Sequence, residues 1–226
     1  MKHGSLQKKY MLFDLDGTLT DSGEGIMNSF QYALEQFNIQ IKDKSELRRV
    51  IGPPLKQSFM EFFHMSESVA DKAIEAYRVY FKEKGIYENK LYDGVTSMLH
   101  ILKSLNKTII LATSKPTIFS EQILKHFDIH KYFTYISGST LDGLRSEKED
   151  IINYALKENN IFNPAEAIMI GDRKFDIEGA KKCNIDSIGV SYGYGSVEEL
   201  KSCNPTHCAA NIPELLSYLV GKNSYY

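Results

Sequence analysis

A chain of 226 residues, 42% hydrophobic and 25% charged, can bury a sizeable core as one large domain, or as a core with a smaller insertion. Its formal net charge of -2 gives no basic surface for a nucleic-acid polymer. No apolar run is long enough to span a membrane, and the charged opening Met1–Lys9 is not followed by a signal-peptide core, so a cytoplasmic protein with no membrane partner is expected.

The segment Met1–Ser5 carries no fold signal. The first clear element is the apolar run Tyr10–Phe13, which stops abruptly at Asp14-Leu15-Asp16-Gly17-Thr18. A short apolar run closed by turn residues suits a strand buried on both faces of a parallel sheet. The interval 22–89 reads differently, with no strand pattern. Ile26, Phe30, Leu34 and Phe37 recur at helical spacing, as do Val69, Ala73, Tyr77 and Tyr80, and Gly52-Pro53-Pro54 breaks the helical pattern between them. We expect a small all-helical domain over 22–89, inserted into a core made of 1–21 and 90–226. Arg48, Arg49 and Lys56 flank the Gly52-Pro53-Pro54 break. Arg49 and Lys56 are candidates for reading a substrate's leaving group; the alternative is that the arginines form the polar face of a helix.

Beyond the insertion, helix and strand patterns alternate. A helix over Gly94–Leu105 leads to the strand run Thr108–Ala112, which ends at Thr113-Ser114, with Lys115 beside it as either a site residue or a solvated lysine. A strand over Tyr132–Gly138 precedes Lys148 and a helix over Glu149–Asn159. The run Ala167–Ile170 ends at Gly171-Asp172, and the weaker Ser187–Val190 runs into a loop with Gly193 and Gly195. This alternation predicts an α/β fold, a Rossmann-like doubly wound parallel sheet with helices on both faces. Cys183, Cys203 and Cys208 are odd in number and lack paired spacing, which suits a reducing compartment and buried small side chains. His207 beside Cys208 has no companion at zinc-ligand spacing.

In open parallel sheets the carboxyl ends of the strands line the ligand crevice, so Asp14, Asp16, Thr113 and Asp172 should converge there. Carboxylates gathered in one place repel one another unless a cation neutralises them, and an all-oxygen donor set suits Mg²⁺. A carboxylate beside such an ion can attack phosphorus, and a second one two residues on can exchange protons with the leaving oxygen and with water. Alternate strand residues face opposite ways. Asp14 and Asp16 therefore share a site only if the strand ends near Asp14 and the chain turns, which Gly17 permits.

Asp14-Leu15-Asp16-Gly17-Thr18-Leu19 resembles the DxDGT signature of the haloacid dehalogenase superfamily. Thr113-Ser114-Lys115, Lys148 and Gly171-Asp172-Arg173-Lys174-Phe175-Asp176 resemble its later motifs, in family order and over nearly the whole chain. The spacing is similar to that of the phosphoglycolate phosphatase and 5'-nucleotidase branch, which carries a helical cap after the first motif. The resemblance implies Asp14 as nucleophile and Asp16 as general acid and base. It implies Mg²⁺ held by Asp14, the Asp16 carbonyl and Asp172, with Asp176 in support. Thr113, Ser114 and Lys148 would hold the phosphoryl group, and Arg49, Lys56 and Lys115 would bear on specificity. The expected partner is a small phosphorylated metabolite, and the expected assembly a monomer or homodimer. A phosphosugar mutase of the β-phosphoglucomutase type keeps the same motifs and stays open. So does a phosphoacceptor module without turnover, although receiver modules of that kind are shorter and lack the insertion.

Overall fold

The computed structural model describes residues 8–221, so the opening Met1–Ser5 lies outside it. In chain order the elements begin with β1 (Tyr10–Phe13), β2 (Thr20–Asp21), α1 (Gly23–Glu35), a 3₁₀ segment over Lys44–Val50, α2 (Leu55–Phe63) and α3 (Glu67–Tyr80). A π-turn over Phe81–Gly85 and the short β3 (Lys90–Leu91) lead to α4 (Val95–Ser104), β4 (Thr108–Pro116), α5 (Thr117–His126) and β5 (Tyr135–Ser139). The chain continues through α6 (Lys148–Glu158), β6 (Ala167–Gly171), α7 (Lys174–Lys182) and β7 (Asp186–Val190). It closes with α8 (Val197–Ser202), β8 (His207–Ala209) and α9 (Ile212–Val220).

The main sheet has the order β5-β4-β1-β6-β7-β8, every pair parallel. Its central strands are apolar throughout because both faces are covered. Leu12, Ile110, Ala112 and Met169 pack with α6 and α7 on one face, while Met11, Phe13, Ile109, Leu111 and Ile170 pack with α4, α5 and α9 on the other. Two expected boundaries differ from the structure. β4 runs on through Thr113 to Pro116, with a register shift against β5 between those residues. The strand expected from Tyr132 starts at Tyr135, because His130–Tyr132 close a 3₁₀ turn in which Phe133 N–H donates to His130 O.

The insertion is helical. Phe30 of α1 meets Phe59 of α2 at a ring-centroid distance of 4.6 Å and Tyr77 of α3 at 5.2 Å. α1 lies so close to the π-turn that a Cβ on Gly25 would sit 1.9 Å from Gly85 O, an approach only glycine allows. At the two crossings β2 and β3 pair antiparallel, Thr20 opposite Leu91 and Asp21 opposite Lys90. The buried apolar side chains of the insertion and of one sheet face form a continuous cluster, bridged where Phe81 meets Phe119 of α5 edge-on at 5.4 Å. Among the described residues no helix is long and apolar enough to cross a membrane.

Candidate active site

β1 ends at Phe13, and Asp14 N–H still donates to Ile170 O at 2.9 Å, so the Asp14 side chain starts where the ladder stops. The chain then turns. Gly17 has φ +83°, and a Cβ there would lie 2.2 Å from Asp172 Oδ2, so both conformation and space require glycine. This turn lets Asp14 and Asp16 line one cavity of about 80 Å³ together with Thr113, Ser114 and Lys115.

Asp14, Asp172 and Asp176 are buried, and each places a carboxylate oxygen within 4.8 Å of the others. Lys148, the first residue of α6, ties part of this cluster together. Its Nζ lies 2.9 Å from Asp14 Oδ1 and 2.7 Å from Asp176 Oδ1, and it donates to Ala112 O at 3.2 Å. Burial alone would lower the Lys148 ammonium, but the charges of Asp14 and Asp176 outweigh it and hold the group above its usual range. Asp172 receives Tyr194 N–H at 2.7 Å and Thr18 Oγ1 at 3.4 Å, and no ion pair reaches it among the described residues. Burial, then the charges of Asp176 and Asp14, push Asp172 well above the carboxylate range. Burial likewise raises Asp176 to about 6, against the opposing pull of Lys148.

One lysine, paired with Asp14 and Asp176 only, serves three buried carboxylates, so the cluster is short of positive charge and its donors are all oxygen. That is what a hard divalent cation requires, and the residues fit one. Among the described residues this is the one His/Cys/Asp/Glu cluster of metal-binding geometry. Cys183 and Cys203 are buried away from it, and His207 stacks on Tyr218 at 4.1 Å instead of joining Cys208 in a site.

Asp16 has different company. Its Oδ2 lies 3.0 Å from Lys115 Nζ, while its buried Oδ1 has no partner. Lys115 is itself buried, with its Nζ 4.4 Å from the Phe81 ring centroid, so it is no solvated lysine. Thr113 Oγ1 accepts from Lys115 N–H at 3.3 Å.

The expectations for the insertion need correcting. Lys56 does not line the cavity; it is paired on the surface with Glu67 at 2.7 Å and Asp71 at 3.0 Å. Arg49 turns away too, stacking its guanidinium over Phe62 at 5.0 Å and Phe63 at 5.8 Å. The Gly52-Pro53-Pro54 break does reach the cavity, but as apolar wall, along with Ile26, Val50 and Leu55. The cation that the insertion contributes is Arg78 of α3. Nothing in the sequence marks it, because on a helix bearing many charges it reads as solvated face. Tyr194 also escaped the sequence reading. Its N–H holds Asp172, while its hydroxyl donates to Asp21 at 2.8 Å and accepts Gly23 N–H at 2.6 Å, tying the cluster to the first crossing. Arg173 makes a second tie, donating to Ile51 O and to Glu199 Oε1.

Comparison with known proteins places this geometry. A predicted phosphatase from Clostridium acetobutylicum superposes with a TM-score of 0.91 and 52% identity, covering 93% of this chain and 97% of that one. A 5'-nucleotidase of Pseudomonas aeruginosa is 41% identical over 97% of this chain and 99% of its own length. Tyrosine-protein kinase PtkA of Mycobacterium tuberculosis is 36% identical over 91% of this chain and 70% of its own. Residues 11–190 match the haloacid dehalogenase-like hydrolases, and the chain belongs to that family.

Proposed function

We propose that this protein is a Mg²⁺-dependent phosphatase that hydrolyses small phosphomonoesters through an aspartyl-phosphate on Asp14. The observation that carries this reading is the split environment of the two aspartates. Asp14 sits against Lys148 and the metal-type cluster, whereas Asp16, also in the cavity lining, is held by Lys115 through Oδ2 and has no partner for its buried Oδ1.

Asp14, the Asp16 backbone carbonyl, Asp172 and Asp176 would hold Mg²⁺, which when bound neutralises the carboxylates and draws charge from the phosphoryl oxygens. Lys148, Thr113 and the Ser114 amide hold the phosphoryl group, with Lys148 countering charge on its nonbridging oxygens. In the first step an Asp14 carboxylate oxygen bonds to phosphorus, the ester P–O bond breaks, and Asp16 gives its proton to the leaving oxygen. In the second, Asp16 takes a proton from water as that water bonds to phosphorus. The P–O bond to Asp14 then breaks, inorganic phosphate departs, and Asp14 is restored. Asp16, which lines the cavity and has one carboxylate oxygen without a partner, is the group suited to both transfers. The cavity wall from the insertion keeps bulk water from the acyl phosphate.

The test is phosphate release from a phosphomonoester panel that includes phosphoglycolate, sugar phosphates and 5'-nucleotides, with Mg²⁺ and with chelator. Sustained release that needs Mg²⁺ supports the reading. A single stoichiometric burst would favour a phosphoacceptor module, and isomerised sugar phosphate without net release would favour a mutase.

A further inference from the structure

Arg78 is an under-satisfied cation in the wall of a mostly apolar chamber. It lines the cavity that holds Asp14 and Asp16, where its neighbours from the insertion are Ile26, Val50, Leu55, Tyr77 and Phe81. One nitrogen, Nη2, donates to Leu141 O at 2.9 Å, which fixes the head of the side chain. The Nε atom is buried and has no hydrogen-bond partner, and among the described residues no ion pair reaches the guanidinium. A partly desolvated guanidinium with an unused N–H is unfavourable until an acceptor arrives, and an anionic acceptor answers both its charge and its donor. The other cations at the site are already engaged, Lys115 by Asp16 and Lys148 by Asp14 and Asp176.

We propose that Arg78 is the specificity-determining residue, and that its guanidinium binds an anionic oxygen carried by the substrate's leaving group. The inference rests on the phosphatase reading above and narrows it to phosphomonoesters with a second negative group. Arg78 and the two aspartates Asp14 and Asp16 line the same cavity, so the second anion and the ester oxygen are parts of one small substrate. A carboxylate and a second phosphoryl group both meet the requirement. The anchoring contact adds a consequence. Leu141 lies in the segment between β5 and α6, ahead of Lys148, so an anion on Arg78 is bound by a side chain already attached to the segment that leads to the phosphoryl-binding lysine.

The experiment compares three substrates with the same short skeleton: phosphoglycolate, ethane-1,2-diol bisphosphate and ethyl phosphate, the last with no second anion. The readout is the ratio of kcat/KM for each dianionic substrate to that for ethyl phosphate, in the wild type, Arg78→Met and Arg78→Lys. In the wild type the ratio exceeds one for the preferred anion, and Arg78→Met lowers it by about 10–100-fold, the range of one charge-assisted hydrogen bond. Arg78→Lys recovers part of the loss. Which of the two ratios falls identifies the anion. A ratio unchanged by Arg78→Met, whether the rates fall together or not at all, overturns the proposal. A second readout does not depend on turnover. Calorimetric binding of phosphoglycolate, the bisphosphate and ethyl phosphate to Asp14→Asn, with and without Arg78→Met, must show the same loss of preference. If the wild type turns over none of these esters, the wider phosphomonoester panel judges the phosphatase reading on its own, and the binding preference still decides the role of Arg78.

Discussion

The floor and the roof of the cavity are built on opposite principles. The floor, at the carboxyl ends of β1, β4 and β6, is charged and crowded. Asp14, Asp16, Asp172 and Asp176 are held by Lys148, Lys115 and backbone amides, at distances that leave little freedom. The roof, from the inserted helices, is apolar apart from Arg78, and its other cations are turned outward onto Phe62, Phe63, Glu67 and Asp71. Fixed charges suit chemistry that must be the same for every substrate, because positioning and preorganised electrostatics supply the catalysis. An apolar wall with one polar contact suits selection, where shape and a single hydrogen bond decide. Changes in the floor should therefore affect all substrates alike, and changes in the roof should separate them.

The largest expected effect is at the floor. Asp14→Asn removes the attacking atom with little change in volume, so turnover on every phosphomonoester should fall by at least about 10³-fold while the circular dichroism spectrum stays native. A rate near wild type on any substrate would break the contrast. Lys148→Met should come next, now in stability. It strips the buried Asp14 and Asp176 of their shared cation, and removing one partner of a buried pair costs about 3–5 kcal/mol. Denaturant melts in chelator should show this loss, with part of it recovered by Mg²⁺.

Asp16→Asn sharpens the comparison within the floor. The rate of the phosphorylation step should fall steeply for alkyl phosphates and much less for nitrophenyl phosphate, whose leaving group needs little proton transfer. Equal deficits for both would remove Asp16 from acid catalysis. Asp172→Asn should do the opposite of most active-site substitutions and stabilise the chelated protein. Asp172 is a buried carboxylate without a paired cation, so each kcal/mol of relieved strain should raise Tm by about 2–4 °C. The same variant should lose the Mg²⁺-induced shift in Tm. A lower Tm in chelator would mean that the carboxylate charge is compensated in the fold. The smallest effect belongs to Lys56→Ala. An exposed ion pair on the outer side of the insertion should leave kcat/KM within about twofold on every substrate, and a selective loss on an anionic one would return Lys56 to the roof.

How much of this could be read from the sequence follows the same division. The strands were legible because both faces are buried, which leaves uninterrupted runs such as Met11–Phe13 and Ala167–Ile170 ending in aspartate or glycine-aspartate. Asp14, Asp16, Thr113, Lys148, Asp172 and Asp176 were nominated because their places are set by strand and helix ends, which leave local marks. The roof left no such marks. Whether Arg49, Lys56 or Arg78 faces the cavity depends on how the 3₁₀ segment, α2 and α3 pack around α1, and the aromatic contacts of Phe30 with Phe59 and Tyr77 tie α2 and α3 to α1 across distances in sequence. Arg49 was lost to neighbouring rings and Lys56 to neighbouring acids, while Arg78 gained its place from a contact 63 residues away. Tyr194 was missed for the same reason, since its hydroxyl bonds to Asp21, 173 residues away in the chain.

The claim on which the account turns is that Asp14 itself carries the phosphoryl group. Rapid acid quench of Asp16→Asn during turnover of nitrophenyl phosphate, followed by peptide mass spectrometry, reads this directly, because loss of the Asp16 base should slow hydrolysis of the acyl phosphate and let it accumulate. The account predicts one phosphoryl group on the peptide containing Asp14, absent when Asp14→Asn is combined with it. A phosphoryl group on any other residue, or none at any time while turnover continues, would contradict it.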